Sequence, residues 1–150
     1  MTIALTSAAF EAGARIPKKH TGEGANVSPP LSWSRPPKGT RQLALICDDP
    51  DAPTTKPWVH WVLYGLPPSL EELKEGNAGG GQEGPNDSGG VGYTGPMPPT
   101  GHGVHRYCFR LYALDAILAT SPGWTKERLL AEMKAHILEH AELVGTYERT

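Results

Sequence analysis

What this chain lacks narrows its function first. There is no run of Lys or Arg, and the formal net charge at pH 7 is −2. Affinity for nucleic acid rests on neutralising phosphates, so nucleic acid is not an expected partner. No stretch approaches the ~20 apolar residues that a membrane-spanning helix needs, so no integral membrane association is expected. Met1 to Phe10 has neither a basic start nor a long apolar core, which argues against a secretory leader and for a cytoplasmic location. Cysteine is scarce as well. Cys47 and Cys108 are too few for a disulfide framework, and no CxxC pair is present for a zinc ribbon or a thioredoxin-type site. Each lies in an apolar, strand-like run, which reads as a free buried thiol in a reducing compartment.

Glycine and proline, by contrast, are plentiful. The 18 Gly and 15 Pro fall in blocks between apolar runs, the punctuation of a β protein with long shaped loops. The apolar run Gln42 to Asp48 reads as a strand buried on both faces, and His60 to Leu66 is rich in aromatic and β-branched types. His105 to Leu114 alternates, with Tyr107, Phe109 and Leu111 on one face and Cys108, Arg110 and Tyr112 on the other. Ile3 to Phe10, Leu31 to Trp33 and Glu142 to Glu148 are weaker strand candidates. Glu75 to Gly101 reads as one long loop, its first half mobile and its second half fixed by prolines. One helix is expected at about 125–138, with Thr125 as N-cap and Leu129, Leu130, Met133 and Ile137 in one apolar stripe. Many strands with one late helix predict a mostly β, antiparallel β-sandwich of one domain, residues 1–150, with the helix packed outside.

Three polar clusters crowd the strand ends. In Asp48-Asp49-Pro50-Asp51-Ala52-Pro53, three carboxylates lie within four residues. Such a turn either bonds its own backbone or faces cations in a site. In Trp58-Val59-His60-Trp61, a strand period of two points Trp58 and His60 one way and Val59 and Trp61 the other. His60 is then either a satisfied structural histidine or a ring oriented by a carboxylate. In the third cluster, Pro96 to Tyr107, Gly101 and Gly103 allow close backbone approach to an oxyanion. His105 and Tyr107 share one face there, while Arg106 and Arg110 point to the other, where structural ion pairs are expected.

The segments DDPDAP, PWVHWVLYGLP and GPMPPTGHGVHRYCFRLYALD, together with NVSPPLSW and AELVGTYER, resemble the phosphatidylethanolamine-binding proteins, in particular their bacterial, Raf-kinase-inhibitor-like branch. The resemblance spans nearly the whole chain. It implies a β-sandwich with a small, metal-free anion pocket at one end. Carried over by position, it implies ligand-binding roles for Asp49, Asp51, Trp58, His60, Pro98, Pro99, Gly103, His105 and Tyr107. It also implies a cis bond at Ala52-Pro53. Two departures stand out. Met97 occupies a place where bacterial relatives commonly have cysteine, and no counterpart of the eukaryotic C-terminal helix follows Glu148, which implies a more open pocket.

The function expected is binding of a small anionic ligand such as phosphate or a phosphorylated head group, without cofactor or metal. His60 and His105 would donate to the oxyanion, Tyr107 would add a hydroxyl, and Asp49, with Asp51, would hold the histidines or meet an ammonium group. An alternative is a protein-interaction role, modulating a kinase or a protease. Catalysis is the weakest reading. His60, His102, His105 and the aspartates could form a metal site or general-base pair, yet no nucleophile stands in the clusters. A homodimer is compatible with the sequence, which names neither the ligand nor a partner.

Overall fold

The computed structural model describes residues 2–150. The main sheet has five antiparallel strands in the order β6-β4-β3-β7-β8: β3 (Gln42–Asp49), β4 (Trp58–Leu66), β6 (Gln82–Glu83), β7 (His105–Leu114) and β8 (Ile137–Tyr147). A smaller antiparallel sheet, in the order β1-β2-β5, is formed by β1 (Leu5–Thr6), β2 (Leu31–Trp33) and β5 (Glu72–Leu73). This is the expected mostly β sandwich. Strand β3 lies between β4 and β7 and is buried along its whole length, which explains its continuous apolar run.

Two cores flank the main sheet. On one face, Leu31, Trp33 and Leu73 of the small sheet pack with Leu43, Leu45, Leu63 and Leu111. On the other, Ala44, Ile46, Val62 and Tyr64 meet Leu129 and Met133 of the helix α1 (Lys126–Met133). Thr125 caps α1 as expected, its hydroxyl accepting from the Arg128 N–H at 3.1 Å. Cys47 and Cys108 are both free and buried, on opposite faces of the sheet.

The helix is shorter than the sequence predicts. It stops at Met133, and Ile137 opens β8 opposite Leu114 rather than extending the stripe. The His136 N–H closes the turn on the Met133 carbonyl at 2.8 Å. Sheet pairing decides the fate of a β-branched residue that helical spacing alone assigns to the helix. Glu75 to Gly101 likewise holds more structure than a loop. β6 pairs with Leu63 and Tyr64, and a bridge joins Pro85 to Val91. Strands this short leave no periodicity to read.

Candidate functional site

A β-bulge builds the centre of the site. On β3 and β4, Cys47 pairs with Trp61 and Asp48 pairs with Val59, so His60 has no partner of its own. An extra residue in one strand turns two successive side chains to the same face. Val59 therefore joins the helix-side core while Trp61 joins the inter-sheet core. His60 also points to the inter-sheet side, its ring 5.1 Å from that of Tyr107 in an edge-to-face arrangement. The expected division, Val59 and Trp61 on one side against Trp58 and His60, holds for Trp58, Val59 and His60 and fails only for Trp61. The bulge resets the period at His60.

His60 and Tyr107 border a cavity of about 210 Å³. Seven of the nine expected ligand-binding residues line it: Asp49, Trp58, His60, Pro98, Pro99, His105 and Tyr107. Ala52, Pro53, Thr54 and Met97 complete the wall. Asp51 and Gly103 lie off it. The Asp51 carboxylate is held by Arg106, whose Nε and Nη2 each donate at 3.0 Å and whose backbone N–H donates at 2.8 Å. These bonds hold the Asp51 carboxyl below the ordinary aspartate value. Asp51 thus braces the acidic turn against the start of β7. Gly103 contributes its positive φ of 91°, which turns the chain into β7.

The Ala52-Pro53 peptide is trans, against the expected cis bond. Trans is the commoner isomer before proline. The turn reverses instead through the Asp51 N–H, which donates to Asp49 Oδ1 at 2.7 Å, and the Thr54 N–H, which donates to the Ala52 carbonyl at 2.8 Å.

Both histidines are oriented, but by different groups. His60 Nδ1–H donates to the Thr94 carbonyl at 2.6 Å. A carbonyl only accepts, so this bond fixes the proton on Nδ1 and leaves Nε2 as the free nitrogen. Burial holds the His60 pKa below the ordinary histidine value, outweighing the Thr94 bond and the Asp49 charge. His105 Nδ1–H donates to Asp49 Oδ2 at 2.7 Å, and His105 Nε2 lies 2.6 Å from His102 Nδ1. With its proton on Nδ1, a neutral His105 accepts from His102 at Nε2. Both its nitrogens are then engaged, so the expected donation from His105 to a ligand would require the His102 bond to open.

His60 Nε2 and the Tyr107 hydroxyl, on residues that line the cavity, have no hydrogen-bond partner among the described residues, and neither does the indole Nε1–H of Trp58 in the same lining. Burial, with the nearby Asp49 carboxylate, raises the Tyr107 pKa and keeps the phenol protonated as a donor. No cluster of three or more His, Cys, Asp or Glu suited to a metal ion occurs among the described residues.

Several contributors carry no sequence signal. The Thr94 carbonyl is backbone, and Arg149 clamps the loop from the far end of the chain, its Nε donating to the Pro98 carbonyl at 2.8 Å. Arg110 follows expectation, bridging Asp48 at 3.3 Å and Glu142 at 2.8 Å on the opposite face. Lys126 of α1 also meets the buried Asp48, at 2.7 Å. Of the three adjacent acids, only Asp49 faces the cavity.

Known proteins share this architecture. The phosphatidylethanolamine-binding protein family model matches residues 6–148. A UPF0098 protein of Methanothermobacter thermautotrophicus is 50% identical, over 97% of this chain and 98% of its own. The crystal structure of a phosphatidylethanolamine-binding protein homologue from Chlamydia trachomatis superposes with a TM-score of 0.93 at 44% identity, covering 99% of each chain. YbcL of E. coli superposes at 0.92 with 30% identity, covering each chain completely. With a matching model over nearly its whole length and close relatives of equal size, the chain belongs to the phosphatidylethanolamine-binding protein family.

Proposed function

We propose that the cavity bordered by Asp49, His60 and Tyr107 binds a small phosphate-like anionic group. The observation that carries this reading is the packing of His60 and Tyr107 edge to face at 5.1 Å in a cavity wall rich in proline, with Trp58 and Met97, where His60 Nε2 and the Tyr107 hydroxyl both lack a partner among the described residues. A site with a few convergent polar groups in an apolar frame suits a small ligand. The phenol supplies one donor. His60 supplies a second once Nε2 is protonated. Alternatively, a monoprotonated phosphate gives its own P–OH proton to neutral Nε2. On the first route, and on the second for a phosphate monoester, the complex holds a proton that neutral His60 and the fully ionised ligand lack; inorganic HPO4²⁻ already carries its P–OH proton. Binding therefore tightens as pH falls. Asp49 acts indirectly, fixing His105, and through it His102, at the rim.

Calorimetric titration of sulfate and of inorganic phosphate between pH 5.5 and 8 tests this. Sulfate keeps its charge over that range, so its affinity reports the imidazole alone. It should rise by up to about tenfold per pH unit as pH falls towards the His60 pKa. A charge-assisted bond contributes about 1.5–3 kcal/mol, so His60→Asn should weaken sulfate binding roughly ten- to hundredfold at the acid end. Asn retains an N–H for the Thr94 carbonyl. Binding that ignores pH, or is unchanged in His60→Asn, would overturn the proposal.

A further inference from the structure

A second cleft, of about 260 Å³, shares no lining residue with the first. Its polar centre is Glu83 on β6. Glu83 Oε2 accepts from the Trp61 indole Nε1–H at 2.8 Å. Its other oxygen, Oε1, has no hydrogen-bond or ion-pair partner among the described residues. Apart from the Tyr93 phenol, Glu83 is the only titratable side chain in the lining. A half-buried carboxylate normally finds a cation, because removing it from water without one is costly. Among the described residues none is supplied.

The surroundings keep the carboxylate in place and reachable. Trp61 is buried, and the Tyr93 ring packs against it edge to face at 5.4 Å. The Tyr93 hydroxyl in turn donates to the His20 carbonyl at 2.6 Å, so the wall is fixed. At Gly92, with φ +93°, a Cβ would stand 2.8 Å from Glu83 Oε2, so the missing side chain leaves room beside the carboxylate. Val91 stands 71% exposed in the same lining, an apolar surface that nothing in the fold covers.

The geometry points to a binding site for a primary alkylammonium group, with the ammonium on Glu83 Oε1 and the alkyl chain along Val91. Three N–H donors on a compact cation match a cleft that holds this carboxylate together with the Ser28 hydroxyl and the Asn77 amide, whose Oδ1 also accepts from the Gly79 N–H at 2.7 Å. A free amine and a lysine side chain share this chemistry. The site is independent of the anion cavity, so either proposal can fail without the other.

The test is a titration of the full chain with butylammonium chloride, followed through the Trp61 indole N–H resonance, with tetramethylammonium chloride as control. A saturable shift of that resonance is expected with butylammonium and not with the control, which has no N–H to donate. Glu83→Gln keeps an oxygen for the Trp61 indole but removes the charge, and should weaken binding at least tenfold. Val91→Lys changes an exposed position and places a lysine ammonium beside Glu83, and should also weaken binding. Repeating the titration with Nα-acetyl-lysine amide separates the sources: tighter binding than butylammonium assigns a protein-borne lysine, weaker binding a free amine. No saturable shift, or an affinity in both variants equal to that of the unsubstituted chain, would overturn the proposal.

Discussion

The buried pair of Asp49 and His105 should stabilise the fold as a unit. Asp49 is 3% exposed and His105 1%. Asp49 serves two donors at once, the His105 imidazole at 2.7 Å and the Asp51 backbone N–H at 2.7 Å. Asp49→Ala strands both. Removing one partner of a buried pair costs about 3–5 kcal/mol. At roughly 2–4 °C per kcal/mol for a chain of this size, melting should fall by about 6–20 °C. Asp49→Asn keeps one acceptor and should cost less, about 1–3 kcal/mol for the donor left over. The decisive assay is a double-mutant cycle by urea unfolding at pH 7, using Asp49→Ala, His105→Ala and both together. Contact predicts that the double variant is more stable than the summed singles imply, by about 1–3 kcal/mol. Additivity within about 0.5 kcal/mol would refute the pairing.

Three further outcomes follow from the same packing. His60 should titrate below the ordinary value of 6.5 in an NMR pH series, because burial disfavours its charged form. The unfolded chain then takes up that proton first, so the contribution of His60 to stability is complete above about pH 6.5 and is lost as pH falls through the folded pKa; His60→Asn should flatten this part of the stability profile. Tyr64→Phe should cost about 2–4 kcal/mol in denaturant unfolding, since the hydroxyl donates to the Ser121 carbonyl at 2.6 Å and accepts from the Trp124 N–H at 3.0 Å. Gly145→Ala should cost about 1–3 kcal/mol by the same measurement, because its methyl would stand 2.6 Å from Ile16 and 2.7 Å from Phe10.

Much of this fold is legible in the chain, where patterning is strong. Three of the four long strands, Gln42–Asp49, Trp58–Leu66 and His105–Leu114, announce themselves by apolar run or alternation, the fourth, Ile137–Tyr147, shows itself only from Glu142 on, and Thr125 marks the helix start. The two-residue strands β5 and β6 do not, because their pairing is set by partners more distant in sequence. The stop of α1 at Met133 escapes for a related reason, since Ile137 satisfies helical spacing and sheet pairing alike. In the site, the resemblance to the family points to seven lining positions but not to their wiring. That the middle acid of Asp48-Asp49-Pro50-Asp51 faces the cavity, while its neighbours meet Lys126 and Arg106, depends on strand register and contacts across the sheet. The bulge at His60 depends on the pairing of β3 with β4. Neither is encoded locally.

The most direct test of the central claim is to follow the His60 side-chain nitrogens by 15N NMR at pH 7 while sulfate is added. The free protein should show the neutral ring with its proton on Nδ1, as the bond to Thr94 requires. If the cavity binds anions through His60, saturating sulfate should protonate Nε2 and move its resonance to the imidazolium position, with the same half-saturation as the calorimetric isotherm. Sulfate that binds while Nε2 stays unprotonated, or that leaves His60 unmoved, would contradict the account.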